Sequence, residues 1–132
     1  MSVPILIVDD DEVLGRVLGR VLKGQGYLAV HATDPEQAMH LARRHRPALA
    51  LVDLCMPGAD GVETAGRLRA ECPGLVCVLL TAYPLRLGEH PRGRTQFARV
   101  LLKPLDLTVL RATVRELLTS AENETGAVRL HE

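Results

Sequence analysis

The chain has 132 residues, of which 47% are hydrophobic, and its sixteen basic and sixteen acidic side chains cancel. This length suits one domain with a buried core, and the balanced charge produces no overall field toward DNA or anionic lipid. Aromatic residues make up only 2% of the chain, which excludes a stacking platform for single-stranded nucleic acid, so we expect no direct binding to nucleic acid or membrane.

The first half of the chain alternates short apolar runs with amphipathic stretches. Ile5–Val8 predicts a strand buried on both faces, and residues 12–24 follow it with apolar side chains at helical spacing. Tyr27–His31 is a weaker strand candidate. The second helix is expected to open with Asp34 as its N-cap and Pro35 at its first position.

The second half continues the same alternation. Ala48–Val52 and Leu75–Leu80 predict two further buried strands, with a helix between them from Val62 to about Cys72. A weaker strand, Arg99–Leu102, precedes a last helix that is capped by Asp106. Five strand–helix units in this order predict a five-stranded parallel sheet with helices on both faces.

Polar residues follow the predicted strands. Asp9 and Asp10 come after the first, Asp53 after the third, Thr81 after the fourth and Lys103 after the fifth. Parallel strands bring these ends to one edge of the sheet, where crowded carboxylates favour a hard divalent cation such as Mg²⁺. A carboxylate there can attack phosphorus, while the lysine and the hydroxyl hold the phosphoryl oxygens. Asp11 is expected to cap the first helix.

Four motifs at these strand ends resemble the receiver domain of two-component response regulators. They are I-L-I-V-D-D-D, L-V-D-L-C-M-P-G-A-D-G, L-L-T-A and L-L-K-P, and the resemblance spans residues 3 to about 120. It implies a single doubly wound (βα)5 domain of the flavodoxin-like fold over residues 1–121, with a polar tail or linker stub over 122–132. It also implies a signalling module rather than an enzyme, phosphorylated by a histidine kinase or phosphotransfer protein.

The resemblance implies a role for each strand-end residue. Asp53 matches the phospho-acceptor, and Thr81 and Lys103 match the residues that contact the phosphoryl group. The implied ligands of Mg²⁺ are Asp9, Asp10, Asp53 and the backbone carbonyl of Cys55, with Asp10 binding directly and Asp9 partly through water.

Two other hypotheses stay open at this point. Residues 9–13, D-D-D-E-V, fit the D-x-D-x-[TV] pattern of haloacid-dehalogenase-type phosphohydrolases, with Asp9 as nucleophile and Asp11 as acid/base. However, no second acidic pair follows Lys103. The chain could also be a receiver-shaped interaction module that is never phosphorylated. A nucleotide binder of the same fold is disfavoured, because three aspartates after the first strand would repel phosphate.

The sequence departs from the receiver pattern in two places. Val100 stands where receivers carry an aromatic residue three positions before the lysine. Between 84 and 97, two prolines and two glycines disfavour a regular helix, because Pro costs ~3 kcal/mol and Gly ~1 kcal/mol in a helix interior. We expect an irregular segment there, and we hypothesise that phosphorylation of Asp53 remodels residues 82–97.

The three cysteines indicate the compartment. Cys55, Cys72 and Cys77 cannot all pair, and Cys77 lies inside an apolar run. Free thiols in a reducing cytoplasm are therefore expected. The apolar run Val3–Val8 is too short for a membrane span and lacks the features of a signal peptide.

Overall fold

The computed structural model describes residues 2–83 and 96–131, and of residues 121–131 only the backbone. The strands are β1 (Pro4–Val8), β2 (Leu28–Ala32), β3 (Leu49–Asp53), β4 (Cys55–Met56), β5 (Ala59–Asp60), β6 (Val76–Thr81) and β7 (Arg99–Leu102). The described helices are α1 (Glu12–Gly24), α2 (Pro35–His45), α3 (Gly61–Glu71) and α4 (Leu107–His131).

Five strands form the parallel sheet that the sequence predicts. Their order is β2-β1-β3-β6-β7. The chain places β2 on one side of β1 and all later strands of this sheet on the other, so the strand order reverses between β1 and β3. Ligands of open α/β sheets bind beyond the carboxyl ends of the strands at such a reversal.

The sheet is covered on both faces, which explains why its central strands are continuously apolar. On one face, Leu6, Val8, Ala50 and Val52 pack with buried residues of α2 and α3 such as Ala38 and Leu68. On the other face, Ile5, Ile7 and Leu51 pack with buried residues of α1 and α4, including Leu18 and Leu110. The single domain with helices on both faces is thereby confirmed for the described residues.

Aspartates begin the helices as predicted. The Asp11 carboxylate accepts a hydrogen bond from the Leu14 N–H at 3.0 Å, and Asp34 accepts one from the Gln37 N–H at 2.8 Å. Asp106 accepts one from the Thr108 N–H at 2.9 Å at the start of α4. These caps satisfy N–H groups that have no partner within the helix.

Three strands lie one residue later than predicted. The predicted Tyr27–His31, Ala48–Val52 and Leu75–Leu80 are observed as β2, β3 and β6. Asp53 pairs with Leu80 in the ladder, and Thr81 pairs with Leu102. Both polar residues are therefore the last residues of their strands, with a backbone fixed by the sheet.

The connections differ from the prediction in detail. After Asp53, a turn at Pro57-Gly58 joins the short antiparallel strands β4 and β5. Gly58 has a φ of 68°, a left-handed conformation that favours glycine.

The backbone of α4 continues to His131, so residues 122–131 of the predicted tail are helical. A domain boundary at residue 121 stays a prediction.

Two expectations concern other parts of the chain. Most of the predicted irregular segment 84–97 lies outside the described residues, as does any helix between β6 and β7. None of the helices in the described ranges has the length and apolar character needed to cross a bilayer.

Candidate functional site

Three carboxylates meet at the carboxyl edge of the sheet. Asp9, Asp10 and Asp53 each place a carboxylate oxygen within 4.8 Å of the other two. Asp9 directly follows β1 and Asp53 ends β3, its neighbour in the sheet. Asp9 is fully buried, Asp53 is 6% exposed and Asp10 is exposed, so the cluster opens to solvent on the side of Asp10.

Lys103 provides a positive charge to this cluster. Its Nζ lies 2.8 Å from Oδ2 of Asp9 and 3.5 Å from Oδ1 of Asp53. Lys103 follows the edge strand β7, so its side chain extends past the ends of β6 and β3 to reach Asp9. Only 24% of that side chain is exposed, as expected for a lysine with a buried stem. Its backbone N–H also donates to the Thr81 carbonyl at 2.8 Å.

The charges of the cluster are unbalanced. Burial raises the pKa of Asp53, the charge of Asp9 raises it further, and Lys103 and the Cys55 N–H only partly oppose them. Burial alone would lower the pKa of Lys103, but the hydrogen bond and charge of Asp9, together with Asp53, outweigh burial and raise it. One ammonium thus faces three carboxylates, and a divalent cation would relieve their repulsion.

The spacing of these oxygens fits a cation of the Mg²⁺ type. An octahedral Mg²⁺ with oxygen ligands at about 2.1 Å holds those oxygens roughly 3–4 Å apart, and the carboxylate oxygens here lie within 4.8 Å of one another. Asp10 is exposed and therefore has the access for direct binding. Both oxygens of Asp9 already accept hydrogen bonds, one from the Asp11 N–H at 2.9 Å and one from Lys103.

Asp53 itself is held by the residues that follow it. The Leu54 N–H donates to the Leu80 carbonyl at 3.0 Å, and the Cys55 N–H donates to Oδ1 of Asp53 at 3.4 Å. The side chain of Cys55 is exposed. The role of its carbonyl as a metal ligand stays a prediction.

Thr81 lies at the same edge. It is 2% exposed, and its hydroxyl oxygen accepts a hydrogen bond from the Tyr83 N–H at 2.8 Å. Because Asp53 pairs with Leu80, Thr81 extends one residue beyond the acceptor candidate on the neighbouring strand. All the predicted site side chains are therefore at one edge of the sheet, and their chemical roles stay predictions.

Two further residues, Gly61 and His31, support this site through backbone contacts. Gly61 begins α3 against the end of β3: a Cβ there would overlap the Asp53 carbonyl oxygen and lie 2.7 Å from the Leu54 Cα. His31 contacts the backbone of Asp9. Nothing in its local sequence signals this, because the contact depends on how β2 pairs with β1.

An acid cluster with a lysine and a hydroxyl, at the reversal point of a parallel α/β sheet, suits the binding of a divalent cation and a phosphoryl group. The sequence matches the family described as the response regulator receiver domain over residues 5–115. The chain belongs to this family, and it is a receiver domain of the two-component response regulators.

Two known proteins with similar sequences differ in how much of their length this chain spans. The chain is 30% identical to "Sporulation initiation phosphotransferase F" of Bacillus subtilis, over 93% of this chain and 99% of that protein. It is 42% identical to "DNA-binding response regulator MtrA" of Mycolicibacterium smegmatis, over 91% of this chain and 52% of that protein. The chain thus spans nearly all of the first relative and about half of the second.

Solved structures agree with the fold. A signal receiver domain of an HD domain-containing protein from Pseudomonas fluorescens superposes with a TM-score of 0.83 at 28% identity, covering 95% of this chain and 93% of that one. A CheY-like receiver domain protein from Methanospirillum hungatei also gives 0.83, at 22% identity, covering 94% and 99%. The second comparison bears on the fold alone.

Proposed function

We propose that Asp53 accepts a phosphoryl group from a histidine kinase or phosphotransfer protein in a Mg²⁺-dependent reaction. The observation that carries this proposal is the contact set of Asp53, a nearly buried carboxylate with Asp9 and Asp10 on one side and Lys103 at 3.5 Å. Burial raises the pKa of this carboxyl, and the neighbouring charge of Asp9 raises it further, more than Lys103 lowers it. A bound cation would stabilise the carboxylate anion and so would lower this pKa.

Asp10, Asp53 and the Cys55 carbonyl would hold the Mg²⁺ directly, and Asp9 would act partly through water. The hydrogen bonds to both oxygens of Asp9 support this division, because they leave Asp9 less free to bind metal than Asp10. Bound Mg²⁺ supplies positive charge to the phosphoryl oxygens.

The side chains of the chain itself carry out the transfer. An oxygen of the Asp53 carboxylate forms a bond to phosphorus while the bond between phosphorus and the donor breaks, and the electron pair of that bond leaves with the donor. Lys103 pairs with the phosphoryl oxygens as their charge arrives. The Thr81 hydroxyl, which now accepts from the Tyr83 N–H, would donate to another phosphoryl oxygen.

Phosphorylation would then change the surface that a partner reads. Lys103 would exchange part of its contact with Asp9 for the phosphoryl group, and Thr81 would turn away from Tyr83. We infer that these changes in side-chain contacts also alter the conformation of residues 82–97. The altered surface would then bind a downstream protein or output domain differently. The domain would act in the cytoplasm and promote only its own phosphorylation and dephosphorylation.

The hydrolase hypothesis is not favoured, because its nucleophile would be Asp9. That carboxylate is fully buried, and each of its oxygens accepts a hydrogen bond. A carboxylate in this state is a poor nucleophile toward an external phosphate ester. Asp53 has no hydrogen bond as short as those of Asp9 in the described residues.

A phosphorylation assay tests the proposal. The full chain is incubated with acetyl phosphate and Mg²⁺, and its intact mass is measured. We expect the mass of one added phosphoryl group, removed by hydroxylamine and absent from Asp53→Asn. Asp60→Asn is the matched control, since Asn can still cap α3, and it should be phosphorylated like the natural chain. An adduct that persists in Asp53→Asn would contradict the proposal, as would none in the natural chain.

A further inference from the structure

His31, near the end of β2, contacts the backbone of the acid cluster. Its Nε2 lies 2.7 Å from the carbonyl oxygen of Asp9. A carbonyl oxygen only accepts hydrogen bonds, so Nε2 carries the hydrogen and the imidazole donates. His31 pairs with Ile7 in the ladder, so its side chain reaches along the sheet to a residue beyond the end of β1.

The hydrogen bond from His31 fixes the peptide group that joins Asp9 to Asp10. The Asp9 N–H donates to the Ala32 carbonyl at 3.1 Å, and the Asp9 carbonyl accepts from His31, so β2 holds both backbone groups of Asp9. The peptide bond is planar, so the direction of that carbonyl also sets the orientation of the Asp10 backbone. It thereby sets where the exposed Asp10 carboxylate enters the cluster.

Helix α1 holds the imidazole in place. Gly15 is buried under the ring, and a Cβ at that position would overlap the ring atoms Cε1 and Nδ1 of His31. No side chain fits at residue 15 while His31 keeps this position. A glycine in a helix interior costs about 1 kcal/mol relative to alanine, and here it makes room for the ring.

We propose that His31 is a positioning residue for the Mg²⁺ site. Its hydrogen bond to the Asp9 carbonyl orients the Asp9–Asp10 peptide group so that the carboxylates of Asp10 and Asp53 converge on one cation. This inference rests on the proposed function. It assigns His31 no contact with metal or phosphoryl group, and it gives Gly15 the role of admitting the ring.

Mg²⁺ affinity, measured by the shifts of backbone amide signals during a titration of the full chain, tests this role without any phosphorylation. His31→Met removes the donor at similar size and should weaken Mg²⁺ binding about tenfold, the lower end for partners that orient metal ligands. His31→Gln keeps an N–H donor at a similar reach and should stay within about threefold of the natural chain. His40→Met, at an exposed position of α2, should change nothing.

Gly15→Ala tests the same role without altering the imidazole. The methyl group should displace the ring and weaken Mg²⁺ binding, whereas Gly19→Ala in the same helix adds a Cβ with nothing within 4 Å and should have no effect. In a His31→Ala background the ring is gone, so Gly15→Ala should cause no further loss. This non-additivity is the sign that Gly15 acts through His31.

The outcomes separate the two proposals. If the natural chain binds no Mg²⁺, the proposed function fails and this inference fails with it. If the natural chain binds Mg²⁺ and a folded His31→Met binds it equally well, only the role of His31 is overturned. Equal losses in the Met and Gln variants would overturn the donor role in favour of packing. Should His31→Met fail to fold, unchanged binding by Gly15→Ala overturns the inference.

Discussion

The Nζ of Lys103 lies 2.8 Å from Oδ2 of Asp9, a residue 94 positions earlier in the chain. The same Nζ is 3.5 Å from Asp53, so the lysine is bound more closely to the buried acid than to the acceptor candidate. Because Asp9 is fully buried, loss of this ammonium would leave a buried carboxylate without its paired positive charge. The lysine therefore stabilises the fold in addition to its proposed contact with the phosphoryl group.

Removing the ammonium should cost stability. We expect Lys103→Met to lower the free energy of unfolding by about 2 kcal/mol without Mg²⁺, below the 3–5 kcal/mol typical for breaking a fully buried pair, because Lys103 is partly exposed. Urea denaturation in EDTA measures the change. Lys23→Met, at an exposed site in the last turn of α1, serves as control and should cost less than about 1 kcal/mol. Equal effects of the two substitutions would contradict this role of Lys103.

The raised pKa of Asp53 predicts a pH-dependent effect of its replacement. The folded state binds the Asp53 proton more tightly than the unfolded state, because burial and Asp9 disfavour the anion. Below the ordinary carboxyl pKa of 3.8, Asp53 is protonated in both states and costs no stability. As the pH rises through the raised pKa of the folded state, the domain loses stability, and this loss persists at higher pH. Without Mg²⁺, we expect Asp53→Asn to melt a few degrees higher than the natural chain at neutral pH.

That advantage should disappear below the ordinary carboxyl pKa, where Asp53 is protonated in both states. Thermal melts at several pH values measure it, with Asp106→Asn, which keeps the cap of α4, as control. If the natural chain is more stable than Asp53→Asn at neutral pH without Mg²⁺, then burial and Asp9 do not destabilise the Asp53 anion, and the prediction is wrong.

The close approach of Gly61 to the end of β3 predicts a sharp difference between two glycines of α3. Gly61→Ala should destabilise the domain by about 1–3 kcal/mol, because its Cβ would overlap the Asp53 carbonyl. Gly66→Ala in the same helix meets only ordinary contacts and should gain up to about 1 kcal/mol. Denaturation of both variants gives the comparison. If the two variants have similar stabilities, the backbone near Asp53 can move to accommodate the added Cβ at little cost in free energy, and the prediction is wrong.

Mg²⁺ should stabilise the domain through Asp10. A ligand that binds only the folded state adds about 2.7 kcal/mol at a concentration one hundred times its Kd. Asp10→Asn should remove most of the rise in melting temperature that Mg²⁺ causes. Asp11→Asn, one residue later, preserves the helix cap and should retain that rise. Loss of the rise in Asp11→Asn alone would place the metal elsewhere.

The sequence was sufficient to predict the parallel sheet and the edge where the site lies. Central strands such as Ile5–Val8 are buried on both faces, so they are continuously apolar and easy to detect. The polar residues after them stand out for the same reason. Parallel topology then brings Asp9, Asp53 and Lys103 to one edge without any knowledge of side-chain contacts.

The contacts that refine the site were beyond the sequence. The bond from His31 to Asp9 depends on the register of β2 against β1, and the room for its ring depends on α1 crossing at Gly15. The preference of Lys103 for Asp9 over Asp53 is a matter of less than an ångström. Neither relationship leaves a periodic or compositional signal in the chain.

The most direct test is to identify the residue that carries the phosphoryl group. After incubation with acetyl phosphate and Mg²⁺, borohydride reduces an aspartyl phosphate to homoserine, which peptide mass spectrometry locates. We predict homoserine at position 53, formed only when Mg²⁺ is present. Homoserine at Asp9, Asp10 or Asp60 instead, or equal modification in EDTA, would contradict the assignment of Asp53 as the Mg²⁺-dependent acceptor.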